Sequence, residues 1–290
     1  MNIVILSRGE HLYSTQKLLK AGEARKHQIE VIDPSYCQLQ VSDGKVILHY
    51  YDELVDDVDA IIPRIGSSYT YFGASLVRHF EAMKVFSVVS AEAILQSRNK
   101  WTCFQILTQA GIPVPKTILG NAHNVAQVLT SFGEGPVILK VLQGTHGHGV
   151  ILAETYQSAL STIETLKASN VRFVVQEFIK ESDGADIRAI VVDGVVIAAM
   201  KRQSKDGDFR SNLHLGGSSE TITLTYEEER LAIKTAKVLR LGVCGVDILQ
   251  SKRGPLVLEV NSTPGLEGIE TTTGKNVAKS IIGYIERNKR

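Results

Sequence analysis

Short apolar runs alternate with helical patterns along the first third of the chain. Strand-like runs occur at Asn2–Leu6, Ile29–Ile32 and Ala60–Ile62, and apolar residues recur with helical spacing over Ser14–Lys26 and Phe72–Met83. Strands that alternate with helices of this length are typical of an α/β unit. The pattern therefore predicts a small α/β lobe at the N-terminal end.

The pattern changes around Ile112–Pro115, a proline-containing break that follows a predicted helix over Ser97–Ala110. Strands and helices alternate again over residues 116–179. Beyond Asp186 the chain is rich in strand signals, before a predicted helix over Tyr226–Leu241. We therefore predict a mixed α/β and α+β protein of three lobes, with boundaries at residues 1–97, 98–183 and 184–290.

Composition narrows the class of protein. The chain has 290 residues, of which 43% are hydrophobic and 22% are charged, as is typical of globular proteins. Its 32 Lys and Arg balance 31 Asp and Glu, which gives no electrostatic ground for binding nucleic acid or an anionic membrane. Cys37, Cys103 and Cys244 fit neither a disulfide framework nor a metal knuckle, and no apolar run is long enough for a signal peptide or a membrane span. We expect a cytoplasmic protein.

Three polar side chains stand in two apolar strands near the C-terminal end. Val246–Gln250 and Leu256–Asn261 are predicted strands joined by a five-residue loop that ends at Pro255. In that register Gln250 faces Leu256, so Asp247 lies opposite Glu259, and Asn261 shares their face.

Opposed carboxylates with Cβ atoms about 5 Å apart repel each other unless a cation lies between them. The set formed by Asp247, Glu259 and Asn261 contains no sulfur or imidazole, which favours Mg²⁺ or Mn²⁺ over zinc. The alternative is an exposed hairpin with ordinary solvated polar residues.

A glycine-rich loop follows the strand that carries Lys140. Gly144, Gly147 and Gly149 allow backbone N–H groups to approach phosphate oxygens closely, and the loop joins strand to strand, unlike a Walker loop or a dinucleotide fingerprint. An unpaired ammonium at Lys140 would be costly to bury, so a nucleotide phosphate is its natural partner. The alternative is a mobile hairpin whose lysine reaches solvent.

An Asp-Gly pair at 193–194 predicts a tight hairpin. In its two-residue register Arg188 faces Ala199, and Asp186 lies on the same side as Arg188. A cationic and polar run follows over residues 201–212. Alone this run could be a solvated loop, but with a phosphate loop and a metal triad it indicates the anion-stabilising wall of an active site.

A series of short motifs is spread along much of the chain, from residue 62 to residue 270. They are Ile62–Gly66, Leu139–Lys140 with the glycine loop, Val175–Lys180, Asp186–Arg188, Gly207–His214, Gly245–Leu249, Leu258–Asn261 and Pro264–Glu270. Together they resemble the RimK-type α-L-glutamate ligases of the ATP-grasp superfamily. The metal triad is shared across that superfamily, whereas the Gly207–His214 and Pro264–Glu270 motifs are much more specific to this branch.

The resemblance implies an ATP-grasp fold in which two β-rich lobes clasp ATP and two Mg²⁺ or Mn²⁺ ions. The implied nucleotide residues are Lys100, Lys140, Gly144, Gly147, Gly149, Glu177, Phe178, Asp186, Arg210, Ser211 and Asn212. Glu177 and Phe178 would lie at the adenine and ribose, and Asp247, Glu259 and Asn261 would hold the metal ions.

The implied reaction is ATP-dependent ligation of L-glutamate, through an α-peptide bond, to the C-terminal carboxylate of a protein or peptide. The family pattern indicates a small-subunit ribosomal protein as acceptor, an acylphosphate intermediate and a homo-oligomer. Arg188 and Arg202 are the candidate catalytic residues that face the acylphosphate and the oxyanion. Lys201 and Gln203 depart from the family pattern, which usually has an acidic residue and an arginine there, so the peptide substrate is not fixed by the resemblance.

Three other functions stay open. A ligase of the same fold could join glutamate or another amino acid to a small molecule or a carrier protein. An ATP-grasp kinase would release ADP without forming an amide. A regulatory module would bind the nucleotide and not turn it over, although the filled metal and lysine positions argue against this.

Overall fold

The structure is a computed structural model that describes residues 1–120, 125–142, 149–205, 209 and 216–289. The first lobe contains a four-stranded parallel sheet with strand order β2-β1-β6-β7 and a three-stranded antiparallel sheet with order β3-β4-β5. The strands are β1 (Asn2–Leu6), β2 (Gln28–Ile32), β3 (Cys37–Ser42), β4 (Lys45–Tyr50), β5 (Glu53–Leu54), β6 (Ala60–Pro63) and β7 (Phe86–Ser87). Two helices, α1 (Tyr13–Glu23) and α2 (Thr70–Ala82), pack on this lobe. The antiparallel sheet has no counterpart in the sequence-based prediction.

The helix predicted over Ser97–Ala110 is confirmed as α4 (Lys100–Gln109), but its predicted start is wrong. Residues 97 and 98 belong to a separate helix, α3 (Ala91–Arg98). Asn99 between them has extended backbone angles, and its side-chain oxygen accepts the N–H of Thr102 at 3.1 Å. An asparagine that caps the next helix in this way ends the previous one.

The central lobe has a four-stranded antiparallel sheet with strand order β10-β9-β11-β8. Its elements are β8 (Thr117–Ile118), α5 (Val125–Thr130), β9 (Val137–Val141), β10 (Val150–Ala153), α6 (Tyr156–Ala168) and β11 (Phe173–Glu177). Buried residues of this lobe, including Leu139, Ile163 and Val175, form a core cluster of their own.

The C-terminal lobe is built on a five-stranded antiparallel sheet with strand order β14-β13-β12-β15-β16. Its elements are β12 (Ala185–Val192), β13 (Val195–Gln203), β14 (Ser218–Thr221), α7 (Tyr226–Val238), β15 (Val243–Ser251), β16 (Gly254–Asn261), α8 (Glu267–Thr273) and α9 (Val277–Asn288). Its buried residues join those of the first lobe in one continuous core, so these two lobes are packed together. No helix in the described ranges is both long enough and apolar enough to cross a membrane.

The hairpin of β12 and β13 turns at Asp193 and Gly194, which both have positive φ. The predicted register is nevertheless wrong, because a bulge leaves Ile197 without a partner on β12. Beyond the bulge every pairing shifts by one residue, so Arg188 lies opposite Met200 and not Ala199.

The hairpin of β15 and β16 is tighter than the predicted five-residue loop. Ser251 pairs with Gly254, which leaves a two-residue turn, and Pro255 lies inside β16 opposite Gln250. The predicted partner of Gln250, Leu256, is therefore wrong. Proline is tolerated here because β16 is an edge strand, and no strand among the described residues pairs with its second side and requires an N–H.

The predicted pairing of Asp247 with Glu259 is confirmed. A bulge at Leu258 adds one residue to β16 and compensates for the shorter turn. The two carboxylates of the predicted triad therefore start from directly opposed backbone positions.

Candidate active site

Four charged side chains form a network on one face of the C-terminal sheet. Asp186 and Arg188 stand two residues apart on β12, Arg202 faces Asp186 from β13, and Asp247 faces Arg188 from β15. Arg188 donates to both oxygens of Asp247, from Nε to Oδ1 at 2.7 Å and from Nη2 to Oδ2 at 2.6 Å. Arg202 binds Asp186 in the same way, at 2.7 and 2.5 Å, and its Nη2 also lies 3.0 Å from Asp247 Oδ2. The bulge in β13 makes this possible, since the predicted register places Lys201 opposite Asp186.

Burial makes the network strongly coupled. Asp186, Arg202 and Asp247 are each exposed by 5% or less. Burial alone would raise the pKa of Asp247, but the guanidinium groups of Arg188 and Arg202 lower it to about 2. Burial raises the pKa of Asp186, although the bidentate bond from Arg202 opposes that shift. Asp247 is therefore a carboxylate throughout the physiological pH range.

The predicted metal ligands share the end of this face. Asp247 lies opposite Glu259, and Asn261 lies opposite Gly245, two residues further along each strand. Glu259 is exposed, whereas Asn261 is half-buried and its Nδ2 is buried without a hydrogen-bond partner among the described residues. Rotation of the Asn261 amide exchanges the positions of its nitrogen and oxygen, so either atom can be turned toward the metal site predicted beside Asp247 and Glu259.

The donor set fits a hard divalent cation. The three contacts from Arg188 and Arg202 use three of about four lone-pair positions on the Asp247 carboxylate, which leaves one position at Oδ1. The described residues contain no cluster of three His, Cys, Asp or Glu able to hold a metal by itself. Two carboxylates and an amide match a Mg²⁺ site, which typically uses one or two carboxylates and takes its remaining ligands from substrate phosphates and water.

Two lysines bring positive charge to the same region. Lys140 is the fourth residue of β9, the strand between β10 and β11, and it is partly buried. Burial lowers its pKa to about 8, and the charge of Lys100 acts in the same direction, while Glu259, Asp247 and Asp186 act against it. Lys140 on β9 of the central lobe therefore lies within electrostatic range of the acidic side chains of the C-terminal sheet and of Lys100.

The glycine loop lies between two paired strands, and only its last glycine falls in the described residues. Gly149 has a φ of +79°, and a Cβ there would lie 2.2 Å from Val141 Cγ2, so no other residue fits without a shift. Lys140 pairs with Val150 across this hairpin. Gly144 and Gly147, like Arg210, Ser211 and Asn212, lie outside the described residues, and their nucleotide roles stay predictions.

Glu177 and Phe178 stand at the end of β11. Glu177 Oε1 accepts the backbone N–H of Lys116 at 2.5 Å, and its carboxylate forms an ion pair with Arg253 in the β15–β16 turn. Phe178 is half-buried. The sequence gives no sign of the Arg253 contact, which joins the central and C-terminal lobes at the position predicted for the adenosine.

Comparison with known proteins identifies this arrangement. Residues 1–94 match the RimK pre-ATP-grasp domain, and residues 97–285 match the RimK-like ATP-grasp domain. The chain belongs to the RimK-like ATP-grasp family. Membership confirms the predicted resemblance and the prediction of an ATP-dependent ligase.

The similarity to individual family members extends over the whole chain. A Vibrio parahaemolyticus protein named probable alpha-L-glutamate ligase is 50% identical over 293 residues, which cover 100% of this chain and 97% of that protein. A Marinobacter nauticus protein of the same name is 49% identical over 289 residues, with 99% and 96% covered. The ATP-grasp ligase PsnB, solved with a variant of its minimal precursor, Mg and ADP, superposes with a TM-score of 0.77 at 18% identity, with 100% and 98% covered. That likeness confirms the ATP-grasp fold.

Proposed function

We propose that the protein is an ATP-dependent carboxylate–amine ligase that adds L-glutamate, through an α-peptide bond, to the C-terminal carboxylate of a protein or peptide. Family membership and the name of its close relatives support glutamate as the amino acid. The observation that carries the proposal is the pairing of Asp247 with Glu259 beside the guanidinium groups of Arg188 and Arg202, since phosphoryl transfer requires cations and metal ligands around one point. A small-subunit ribosomal protein is the acceptor that we expect from the family pattern.

ATP and two Mg²⁺ or Mn²⁺ ions complete the proposed site. Asp247, Glu259 and Asn261 would hold the ions, which when bound neutralise phosphate charge and help to align the reacting groups. The lobe boundaries at 97/98 and 183/184 and a homo-oligomeric state remain predictions.

The proposed reaction has two steps. An oxygen of the acceptor carboxylate attacks the γ-phosphorus of ATP, so that ADP leaves and an acylphosphate forms. The α-amine of glutamate then attacks the acyl carbon, inorganic phosphate leaves, and the amine loses a proton as the amide forms. Lys100 and Lys140 would bind the phosphates during the first step and hold them in line with the acceptor.

The two predicted catalytic arginines have different surroundings. The side chain of Arg202 is 5% exposed and bonds to both Asp186 and Asp247. That of Arg188 is 19% exposed and, within the described part of the chain, bonds only to Asp247. Arg188 uses two of its five N–H donors in these bonds, which leaves three for an anion. We therefore assign Arg188 to the acylphosphate and the oxyanion, and Arg202 to the fixation of Asp247 and Asp186.

Glutamate-dependent release of ADP tests the proposal. Purified protein is incubated with ATP and Mg²⁺ or Mn²⁺, each of the twenty amino acids, and peptides with or without a C-terminal glutamate, and the products are analysed by mass spectrometry. We expect ADP release that requires glutamate, together with an acceptor mass increased by one or more glutamyl units. ADP without an amide product would indicate a kinase, and an amide with another amino acid or a small-molecule acceptor would overturn the substrate assignment.

A further inference from the structure

A cavity of about 460 Å³ opens at one edge of the parallel sheet in the first lobe. Its lining includes Arg8, Asp33 and Arg64. Asp33 and Arg64 directly follow β2 and β6, and Arg8 is the second residue after β1. The strand order β2-β1-β6-β7 places successive strands on opposite sides of β1, so the cavity lies where the winding of the sheet reverses. In open α/β sheets ligands bind at this point, outside the carboxyl ends of the strands.

Two arginines give the cavity its charge. Among the described residues none forms a hydrogen bond or ion pair with the guanidinium group of Arg8 or Arg64. Burial lowers the pKa of Arg64 to about 10, and the nearby charge of Arg98 adds to this effect with no carboxylate to oppose it. Asp33 is the acidic residue of the lining, and its Oδ1 already accepts the N–H of Ser35 at 2.9 Å.

An unpaired cation at a partly buried position is costly unless an anion binds there. Arg64 is partly buried whereas Arg8 is exposed, so this cost applies to Arg64. The site is therefore suited to a ligand that supplies a carboxylate or another anionic group.

The wall that carries Arg64 is hydrogen-bonded to the segment that follows the predicted metal ligands. Arg98 Nη1 donates to the carbonyl of Gly66 at 3.1 Å, and Nη2 donates to the carbonyl of Ile65 and to Thr263 Oγ1, the latter at 2.9 Å. Thr263 lies two residues beyond Asn261, a predicted metal ligand. Ile65 in turn packs so closely on α2 that a Cβ at Gly73 would lie 2.3 Å from it.

We propose that Arg8 and Arg64 bind a carboxylate of the acidic substrate, so that the first lobe selects for glutamate. This inference rests on the proposed ligase function. The planar guanidinium groups match a carboxylate in a bidentate arrangement, and the cavity volume lies within the usual range for small-ligand sites. The carboxylate belongs either to free glutamate or to an acidic residue at the end of the acceptor.

Steady-state kinetics of Arg8→Gln and Arg64→Gln test the inference and distinguish the two sources. Loss of one charge-assisted interaction should raise the KM for an acidic substrate by roughly 10- to 100-fold, while the KM for ATP and the kcat at saturation stay within about threefold. A rise in the KM for glutamate assigns the cavity to the incoming amino acid, and a rise in the KM for a glutamate-ended peptide assigns it to the acceptor. The preference for glutamate over glutamine at the affected position should fall by a similar factor.

Two further variants separate recognition from structure. Arg64→Lys keeps the charge and should recover part of the lost affinity, while Arg78→Gln removes an exposed arginine of the same lobe and should change nothing. If both pocket variants keep each KM and the glutamate preference within threefold of the wild type, the inference is wrong.

Direct binding keeps this inference separable from the proposed function. If the wild type forms no amide with glutamate and any acceptor, the proposed function fails, and calorimetric titration of glutamate and of triglutamate then tests the cavity alone. Binding that is lost in Arg64→Gln supports the cavity, whereas equal binding in both proteins, or none in the wild type, overturns it.

Discussion

The C-terminal sheet and the first lobe each present two arginines to which we assign a role at the substrate or the active site, but the surroundings of the two pairs differ. Arg188 and Arg202 make bidentate bonds to Asp247 and Asp186. Arg8 and Arg64 line a cavity in which none of the described residues binds their guanidinium groups. Arg202 fixes protein groups in place and Arg188 keeps donors for an anion, whereas both arginines of the second pair are left to bind a ligand.

This difference follows from which charges the fold brings together. In the C-terminal sheet, strand pairing places each aspartate directly opposite an arginine, so burial and ion pairing occur together. In the first lobe, parallel strands bring Arg8 and Arg64 to one edge. Among the described residues the lining has one carboxylate, that of Asp33, which caps its own turn. A buried pair is tolerated when it is complete, while an incomplete one favours binding of the missing charge.

The largest expected effect is on catalysis at the metal ligands. The double variant Asp247→Asn/Glu259→Gln should abolish metal-dependent ATP turnover, because it removes both carboxylates of the proposed site. ADP release measured against Mg²⁺ concentration checks this. Glu259→Gln alone should lose turnover and keep wild-type stability, since Glu259 is exposed. A double variant that still cleaves ATP would remove the metal assignment.

The second effect tests the comparison through stability. Arg202→Met should lower the free energy of unfolding by about 3–5 kcal/mol, because it leaves Asp186 buried without its cation. Arg64→Met should be neutral or stabilising, because it removes a cation that has no described partner. Urea unfolding followed by circular dichroism gives both values. Equal destabilisation by the two variants would contradict the proposed difference between the ion-paired Arg202 and the unpaired Arg64.

The third effect separates the two arginines of the C-terminal sheet in catalysis. Arg188→Ala should lower kcat/KM by roughly 100-fold, or about 3 kcal/mol, as expected for loss of one oxyanion donor. Its effect on stability should be smaller than that of Arg202→Met, because Asp247 keeps its contact with Arg202. Turnover of Arg188→Ala within a few-fold of the wild type would contradict the catalytic role.

Sequence patterns predict much of this site because strand alternation and turn chemistry are local. The helix break at Asn99 and the bulge at Ile197 are harder to predict from the sequence. A bulge depends on packing across the sheet, and no residue type at Ile197 marks it. The Asp247 and Glu259 pairing is predicted correctly although the turn is not, because the bulge at Leu258 restores the lost residue.

The cavity in the first lobe shows a second limit of sequence reasoning. Arg64 lies in a motif that carries the family resemblance, but its lack of a partner is a property of the folded lobe. Arg8 follows β1 in a loop with no distinguishing pattern. Only the three-dimensional arrangement shows that these cations share one cavity, whereas those of the C-terminal sheet are neutralised.

The smallest expected effect concerns Lys140, whose electrostatic surroundings are intermediate between those of the two arginine pairs. Burial lowers its pKa to about 8, while Glu259, Asp247 and Asp186 oppose that shift without a direct bond. ATP affinity should therefore fall as the pH rises above about 8, by up to tenfold per pH unit, because the free protein loses the ammonium that binds phosphate. The free energy of unfolding of the free protein should instead rise with pH between the lowered pKa and the ordinary value of 10.5. In that range the unfolded chain holds this proton more tightly than the folded chain does.

Nucleotide titrations between pH 7 and 9.5 measure this effect, with two variants as references. Lys140→Arg should bind ATP with little pH dependence over that range, because a guanidinium stays charged. Lys140→Met should bind weakly at every pH. If the wild type and Lys140→Arg have the same pH profile, the group that titrates is not Lys140. Lys140 would then be permanently charged over this pH range, as Arg202 is.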